Sequence, residues 1–195
     1  IMQMKHILVE ILSEMTTLSE EEILAVEKSF PLQTYPKGTY LLKVGQVAKD
    51  SYFVVKGCIR NYELLDGEER TIDFYTENQS VANFISLATG NPSEINFVCT
   101  EETTVTTINN ETEKDLYQKI PRFETFCREG MEQMMGNLQN EISIFLKLSP
   151  EERYQKVLKD RPSLINRVPQ YQLASYLGIK PETLSRIRKR VFKKD

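Results

Sequence analysis

Residues 168–190 read VPQYQLASYLGIKPETLSRIRKR, and this stretch decides how the C-terminal part of the chain folds. The pattern predicts two short helices, about 169–177 and 181–192, with Gly178 in the turn, where a residue tolerant of positive φ is needed. Pro181 suits the first position of the second helix, because the N–H of that position has no partner within the helix. Six apolar side chains are predicted to pack the helices together: Leu173, Ala174, Leu177, Ile179, Leu184 and Ile187.

The outward face of the second helix begins with short polar side chains and then becomes strongly basic. A recognition helix offers its first turns to base edges in the major groove of duplex DNA. There Arg186 can pair with a guanine edge, and Glu182 can accept a hydrogen bond from a cytosine amino group. The plain alternative is a helical hairpin with a solvated basic face. The predicted DNA-binding residues are Gln170, Tyr171, Lys180, Glu182, Thr183, Ser185, Arg186, Arg188, Lys189 and Arg190, with Lys193 and Lys194 as further phosphate contacts.

The charge of the chain is divided unevenly along its length. Residues 149–195 hold twelve Lys and Arg against five Asp and Glu, a net charge of +7. Residues 1–148 hold thirteen against twenty-three, a net charge of −10. A basic end on an acidic body is expected of an appended nucleic-acid-binding module. A basic tail without a partner would show the same asymmetry, so charge alone does not decide between these readings.

The middle of the chain, from about Pro31 to Ile108, has the pattern of a β-rich domain. Turn signals separate short stretches that are rich in β-branched and aromatic residues. The clearest hairpin has Asp66-Gly67 as its turn. Many short strands at this spacing suggest an antiparallel barrel, sandwich or roll. The predicted strands are Thr39–Lys43, Ser51–Lys56, Cys58–Leu65, Arg70–Tyr75 and Phe97–Asn109.

Helical periodicity flanks this β-rich part on both sides. Residues 4–14 and a capping-box pattern at Ser19 and Glu22 predict two helices before it. A short helix and a long helix of about 122–148 are predicted after it, and Ser149 then caps a further helix. The long helix carries an apolar stripe that packs either on its own domain or on a second subunit: Cys127, Met131, Met134, Leu138, Ile142 and Phe145.

The composition excludes several classes of protein and site. The cysteines Cys58, Cys99 and Cys127 are far apart and His6 is the single histidine, so we expect no zinc site, iron–sulfur cluster or other cofactor. We do not expect an enzyme, because the sequence shows no nucleophile–base pair and no Gly-rich phosphate loop. No apolar run approaches the ~20 residues that span a bilayer. We therefore expect a cytoplasmic protein with no membrane partner.

The order of these elements resembles the Crp/Fnr family of bacterial transcription regulators. The sharpest similarity is Leu173–Ile179 with Pro181–Arg186, which is close to the family's recognition signature. Glu182 and Arg186 match two base-reading positions, whereas Pro181 stands where cyclic-AMP-responsive members carry Arg, which implies a different operator. The resemblance implies an α+β fold with a jelly-roll-like antiparallel β-roll flanked by helices, a long dimerisation helix and a C-terminal winged helix-turn-helix domain.

The resemblance also implies domain limits and partners. The expected domains are 1–121 for a cyclic-nucleotide-binding-like sensor with its N-terminal helices, 122–148 for the connecting helix and 149–195 for the DNA-binding domain. The stripe of the long helix then becomes the seam of a homodimer, which reads a palindromic site in double-stranded DNA. RNA polymerase is a further candidate partner.

The β-roll departs from the family's cyclic-nucleotide pattern. Phe84 stands where members that bind cyclic AMP carry Glu, and Ser93 stands where they carry Arg. No Lys or Arg occurs between Ile72 and Thr112, and a buried phosphate without a cation loses its charge-assisted hydrogen bonds. We therefore expect no binding of cyclic AMP. The candidate effector pocket consists of Asn83, Phe84, Ile85, Ser86, Ser93 and Glu94, and it takes either a neutral or apolar molecule or no ligand.

A function of another class is also compatible with this organisation. The chain could be a cyclic-nucleotide or other small-molecule sensor whose basic C-terminal module docks to a protein partner. The missing phosphate-binding Arg counts against this alternative, and the helix-turn-helix pattern favours a DNA-binding regulator.

Overall fold

A computed structural model of the chain describes residues 6–191. Of the predicted DNA contacts, Lys193 and Lys194 lie outside the described residues, as does the last residue of the predicted helix 181–192. Within residues 6–191, no helix is long and apolar enough to cross a bilayer. In the same part of the chain, no group of three or more His, Cys, Asp and Glu side chains is placed to hold a metal ion.

Two helices, α1 (Ile7–Met15) and α2 (Glu20–Ser29), precede the β-rich part. The predicted capping box opens α2. The Ser19 hydroxyl accepts from the Glu22 N–H at 3.2 Å, and the Glu22 carboxylate accepts from the Ser19 N–H at 2.8 Å. This exchange gives partners to two N–H groups that a helix start leaves free. Both helices pack against later helices through an apolar cluster: Val9, Val26, Phe30, Leu116 and Phe123.

The β-rich part forms two four-stranded antiparallel sheets around a shared core. The strands are β1 Leu32–Tyr35, β2 Tyr40–Leu42, β3 Asp50–Lys56, β4 Ile59–Leu65, β5 Glu68–Tyr75, β6 Ser80–Val81, β7 Ile95–Cys99 and β8 Thr103–Asn109. One sheet has the order β1-β8-β3-β6 and the other β2-β7-β4-β5. Val54 and Val105 of the first sheet share one cluster with Ile59 and Phe97 of the second. The predicted antiparallel roll is thus confirmed.

The predicted Asp66-Gly67 hairpin joins β4 to β5. Asp66 has φ 52° and Gly67 has φ 83°, and two successive left-handed residues are what a type I′ turn requires. Leu65 pairs with Glu68 across the turn. Because β5 pairs only with β4, its second side is a free sheet edge. The hairpin therefore ends the sheet and leaves an edge strand that other parts of the chain can cover.

The prediction of one strand over Phe97–Asn109 is wrong. The chain forms β7 and β8 there, with a break at residues 100–102. β7 pairs with β4 in one sheet, and β8 pairs with β3 in the other, so the break carries the chain between sheets. The sequence also does not predict β1 and β6, because strands of four and two residues are too short to show alternation.

The remaining elements are helical. They are α3 Phe84–Thr89, α4 Asn110–Lys119, α5 Arg122–Lys147, α6 Pro150–Asp160, α7 Leu164–Arg167, α8 Gln170–Tyr176 and α9 Pro181–Val191. α5 is the predicted long helix, and α8 and α9 are the predicted helix-turn-helix pair. We call residues 149–191 the C-terminal module. Since the strands of the described residues end at Asn109, the wing implied by the resemblance is not among them.

The C-terminal module packs directly on the roll. Cys58 and Phe74 of the roll belong to the same buried cluster as Tyr154, Leu173 and Leu184 of the module. α8 lies along β5, and it covers the free edge of this sheet. Two residues of the roll therefore belong to the apolar core of the module, while the core between the two sheets is a separate cluster.

Candidate nucleic-acid interface and sensor cassette

A tight turn and a small core fix α9 on α8. Gly178 has φ 71°, a left-handed value that costs Gly little and most other residues more. The Ile179 N–H donates to the Ala174 carbonyl at 3.0 Å, across the turn. The predicted core positions Leu173, Ala174, Leu177, Leu184 and Ile187 are all buried. The orientation of α9 is therefore set by its packing on α8.

The opposite side of α9 is open. Arg186 is exposed, and its only hydrogen bond within the described residues joins its Nη2 to the neutral Thr183 hydroxyl at 3.2 Å. Its charge therefore stays available to a partner. The other predicted DNA contacts that are exposed are Gln170, Tyr171, Lys180, Glu182, Ser185, Lys189 and Arg190, while Thr183 is half-buried.

Two predicted contacts, Arg188 and Arg190, have neighbours inside the module. Arg188 is half-buried and lies near Tyr154; burial raises the pKa of this phenol, and the Arg188 charge opposes that effect. Arg190 is exposed but forms an ion pair with Glu151 at 2.8 Å. DNA contacts from these two residues would compete with these neighbours, so Arg186 and Lys189 are the more available cations.

Two further arginines of the module face the roll instead of solvent. Arg167 donates to both carboxylate oxygens of Glu77, at 2.8 and 2.9 Å, and to Glu101 from its Nε at 3.0 Å. Arg161 lies 3.3 Å from the Asp73 carboxylate and also donates to the Phe74 carbonyl. The sequence alone predicts no role for either residue. The only signal available was the acidic character of the roll, which does not show which carboxylates they meet.

Polar side chains of the predicted effector pocket bond to one another. The Asn83 side chain caps α3 by accepting from the Ser86 N–H at 3.1 Å, and it donates to the Ser93 hydroxyl at 2.9 Å. Ser93 in turn donates to the Ile95 carbonyl at 2.7 Å. The structure therefore brings Asn83, Ser86 and Ser93 of the predicted set together in a network that is closed within the chain.

The second half of this network ties α3 to the preceding loop. The Ser86 hydroxyl accepts from the Ala48 N–H at 2.9 Å and donates to the Asn91 carbonyl at 2.6 Å. Ser86 and Ser93 are only 2% and 3% exposed. A group that is buried and already hydrogen-bonded must lose those bonds before it can bind a ligand.

The other three residues of the predicted pocket point elsewhere. Phe84 is 49% exposed and Ile85 is 75% exposed, and Glu94 is also exposed. The structure thus divides the predicted set into a closed polar network and an open surface around α3.

The apolar stripe of α5 is also divided. Met131, Leu138 and Ile142 are 43–52% exposed. The remaining predicted positions are half-buried; of these, Phe145 packs on Tyr176 of its own chain, with ring centroids 6.2 Å apart. Met135 and Leu146 are exposed and extend the open stripe. The exposed apolar residues of α5 are therefore Met131, Met135, Leu138, Ile142 and Leu146, at steps of three or four.

Comparison with known proteins defines the class of the roll. Residues 32–120 match the family model of the cyclic nucleotide-binding domain. The match covers the two sheets, α3 with its flanking loop (residues 83–95, here called the cassette) and α4, and it ends before α5. Among curated proteins, no sequence matches this chain.

Most of the chain is similar in fold to solved structures of bacterial proteins. The c-di-GMP-responsive global regulator CLP of Xanthomonas campestris superposes with a TM-score of 0.67 at 17% identity, over 90% of this chain and 93% of CLP. FixK2 from Bradyrhizobium japonicum gives 0.68 at 16% identity, over 85% of each chain. A CooA mutant from Carboxydothermus hydrogenoformans gives 0.62 at 17%, over 92% and 86%. The predicted Crp-like fold class is thus confirmed.

The Glu77–Arg167 contact predicts a pH dependence of stability. Burial raises the pKa of the Glu77 carboxyl, but hydrogen bonds from Arg167 and from the Gly57 N–H outweigh burial and lower it from 4.5 to about 2. A depressed pKa in the folded state stabilises the fold above the unfolded-state value, and this contribution is lost as pH falls. We expect Glu77→Gln to remove a stabilising contribution that is complete above about pH 4.5 and disappears towards about pH 2.

Denaturant unfolding of the parent chain and Glu77→Gln, at several pH values between 2 and 7, measures this contribution. The difference between their unfolding free energies should shrink as pH falls through this window. Arg167→Gln should show the same trend, because it removes the other partner. Parallel curves for the parent chain and Glu77→Gln would contradict the assignment.

Proposed function

We propose that this chain is a DNA-binding transcription regulator that acts as a homodimer on a palindromic site. The observation that carries the proposal is the open face of α9 on a buried α8–turn–α9 core, with Arg186 and Lys189 accessible. The position of this face at the basic end of an otherwise acidic chain supports it further. Base edges are then read by Glu182 and Arg186, and phosphates by the surrounding cations.

The exposed stripe of α5 supports the homodimer. Exposure of an apolar row on a 26-residue helix to water is unfavourable, and a second copy of the same helix offers a matching row that would bury it. Since Phe145 is occupied by Tyr176, we place the centre of the seam at Leu138 and Ile142. The dimer presents two copies of α9, which fits a site with two-fold symmetry.

The closed cassette supports a sensor domain that does not bind cyclic AMP. Ser93 stands where cyclic-AMP-binding members carry Arg. Its hydroxyl donates to the Ile95 carbonyl and accepts from the Asn83 side chain. The stretch between Ile72 and Thr112 supplies no Lys or Arg to replace that charge.

Arg186 tests the assignment of base reading. Arg186→Ala should cost ~1–3 kcal/mol on the best operator and relax the preference at one base position. Lys189→Ala is the matched control, which should weaken all duplexes about equally and flatten the salt dependence. Selection from a random duplex library followed by titration provides both readouts. If Arg186→Ala binds the best operator as tightly as the parent chain, Arg186 does not read bases.

Leu138 tests the seam of α5. Leu138→Lys places an unpaired charge in an apolar interface, and this should weaken the dimer by roughly two orders of magnitude. Gln133→Lys adds the same charge at an exposed position elsewhere on α5 and should leave the dimer intact. Sedimentation in the ultracentrifuge at micromolar concentration measures both variants. A parent chain that sediments as a monomer at this concentration would contradict the homodimer.

The cassette is tested with cyclic AMP itself. Calorimetric titration of the full chain with cyclic AMP should give no binding heat, because the pocket has no cation for the phosphate and its hydroxyls are already paired. A ligand that binds the folded state would raise its melting temperature, so thermal unfolding provides an independent readout. Saturable binding, together with a rise in melting temperature, would overturn this part of the proposal.

A further inference from the structure

Five cations of the C-terminal module fall into two groups. Arg186 and Lys189 on α9 and Lys180 in the preceding turn are exposed. By contrast, the side chains of Arg161 and Arg167 are only 20% and 19% exposed, and they are turned towards the acidic roll. All five lie in the basic part of the chain, but the sequence predicts DNA contacts for Lys180, Arg186 and Lys189 and assigns no role to Arg161 and Arg167. The structure separates them.

Arg167 is held by two loops of the roll. Its Nε, Nη1 and Nη2 atoms each donate to the carboxylate of Glu77 or Glu101. A planar guanidinium that forks onto a carboxylate is fixed in direction as well as in position. Glu77 is itself anchored, because its Oε1 accepts from the Gly57 N–H at 2.8 Å. Each of the three nitrogens of Arg167 is thus engaged, and the side chain is not free for a DNA phosphate.

Arg161 and α8 continue the contact along β5. Arg161 donates to the Phe74 carbonyl, and the Ser175 hydroxyl accepts from the Thr71 N–H at 2.9 Å. The rings of Phe74 and Tyr176 meet edge to face, with centroids 5.7 Å apart. α8 is therefore fixed against the roll by polar and apolar contacts at the same strand.

The orientation of α9 depends on these contacts. α9 packs on α8 through Leu184 and Ile187, and α8 packs on β5. Arg153 also joins α8 to α5: it donates to the Leu177 carbonyl at 3.3 Å, and it lies 4.4 Å from the centre of the Phe145 ring. The roll, α5 and the first helix of the pair thus meet at one junction that carries the exposed helix.

We propose that Arg167, supported by Arg161, is a positioning residue that fixes α9 relative to α5 and so sets the spacing between half-sites that the dimer accepts. This inference rests on the proposed function, since it concerns a dimer that reads two half-sites. It differs from a DNA contact, because Arg167 acts through Glu77 and Glu101 of its own chain. It also differs from a purely stabilising role, because it predicts a change in spacing preference.

The first experiment needs no DNA. The Thr71 amide reports the roll–module contact, because its acceptor is Ser175. In Arg167→Gln we expect hydrogen exchange at Thr71 to accelerate by roughly 3- to 30-fold, because local opening of this contact becomes easier. Exchange at the Val105 amide in the other sheet should be unchanged, which separates local release from global unfolding. Arg167→Lys keeps the charge without the fork, so it should lie between the parent chain and Arg167→Gln.

The second experiment compares two duplexes, the selected operator and the same operator with one base pair inserted at its centre. An insertion rotates and shifts one half-site, and a rigid dimer cannot follow this change. The affinity for the selected operator divided by the affinity for the duplex with the insertion should fall by roughly 3- to 30-fold in Arg167→Gln. The salt dependence should stay unchanged. Lys180→Gln, an exposed cation of the same module, should weaken both duplexes equally and reduce the salt slope by about 1.

The outcomes separate the two proposals. Faster exchange at Thr71 together with a lower affinity ratio supports the positioning role. An unchanged ratio in a variant that still binds the operator overturns it, whatever the exchange rates. If Thr71 exchange accelerates but the parent chain selects no duplex, the proposed function fails, and the positioning role fails with it. Should Arg167→Gln not fold, Arg167→Lys provides both measurements, and an affinity ratio equal to that of the parent chain would overturn the proposal.

Discussion

The structure depends on one constraint: the free edge of β5 has to be covered. An edge strand presents unpaired N–H and C=O groups that are costly to bury alone and prone to pair with other chains. Here the Thr71 N–H donates to the Ser175 hydroxyl of α8, and the Phe74 carbonyl accepts from Arg161. The apolar face behind these groups is completed by residues of the module. The sheet is finished only when the C-terminal module is in place, so the position of the module is part of the fold of the roll.

The uneven charge of the chain follows the same division. Part of the positive charge of the module lies against the negative roll, where Arg161 and Arg167 form half-buried ion pairs. Such pairs are screened less by salt than exposed ones. Lys180, Arg186 and Lys189 are exposed and contribute to the field that a polyanion would meet. The uneven distribution of charge along the sequence thus gives both ion pairs inside the chain and an exposed basic surface. Composition alone cannot show which cations belong to which.

The sequence predicts features that depend on neighbours within a few residues. The Asp66-Gly67 turn, the capping box at Ser19 and the helix start at Pro181 belong to this group, because backbone geometry and local hydrogen bonds decide them. Contacts across the fold are not encoded in this way: Arg167 and Glu77 are 90 positions apart. The sequence does not predict the break between β7 and β8 for a related reason. One continuous pattern of β-forming residues covers two strands that belong to different sheets. The same limit applies to α5, where packing of Phe145 on Tyr176 turns part of the predicted seam inward.

The cassette shows how a sensor fold can be ordered by its own side chains. A buried anion is held by charge-assisted hydrogen bonds from cationic side chains. In this chain Asn83, Ser86 and Ser93 carry amide and hydroxyl groups that are small and uncharged. They pair with one another and with the backbone of Ala48 and Ile95, so the loop is ordered without a bound charge. A signal that reaches α9 would then have to act on the contacts of the roll with α8, because these are the ones on which the orientation of the exposed helix rests.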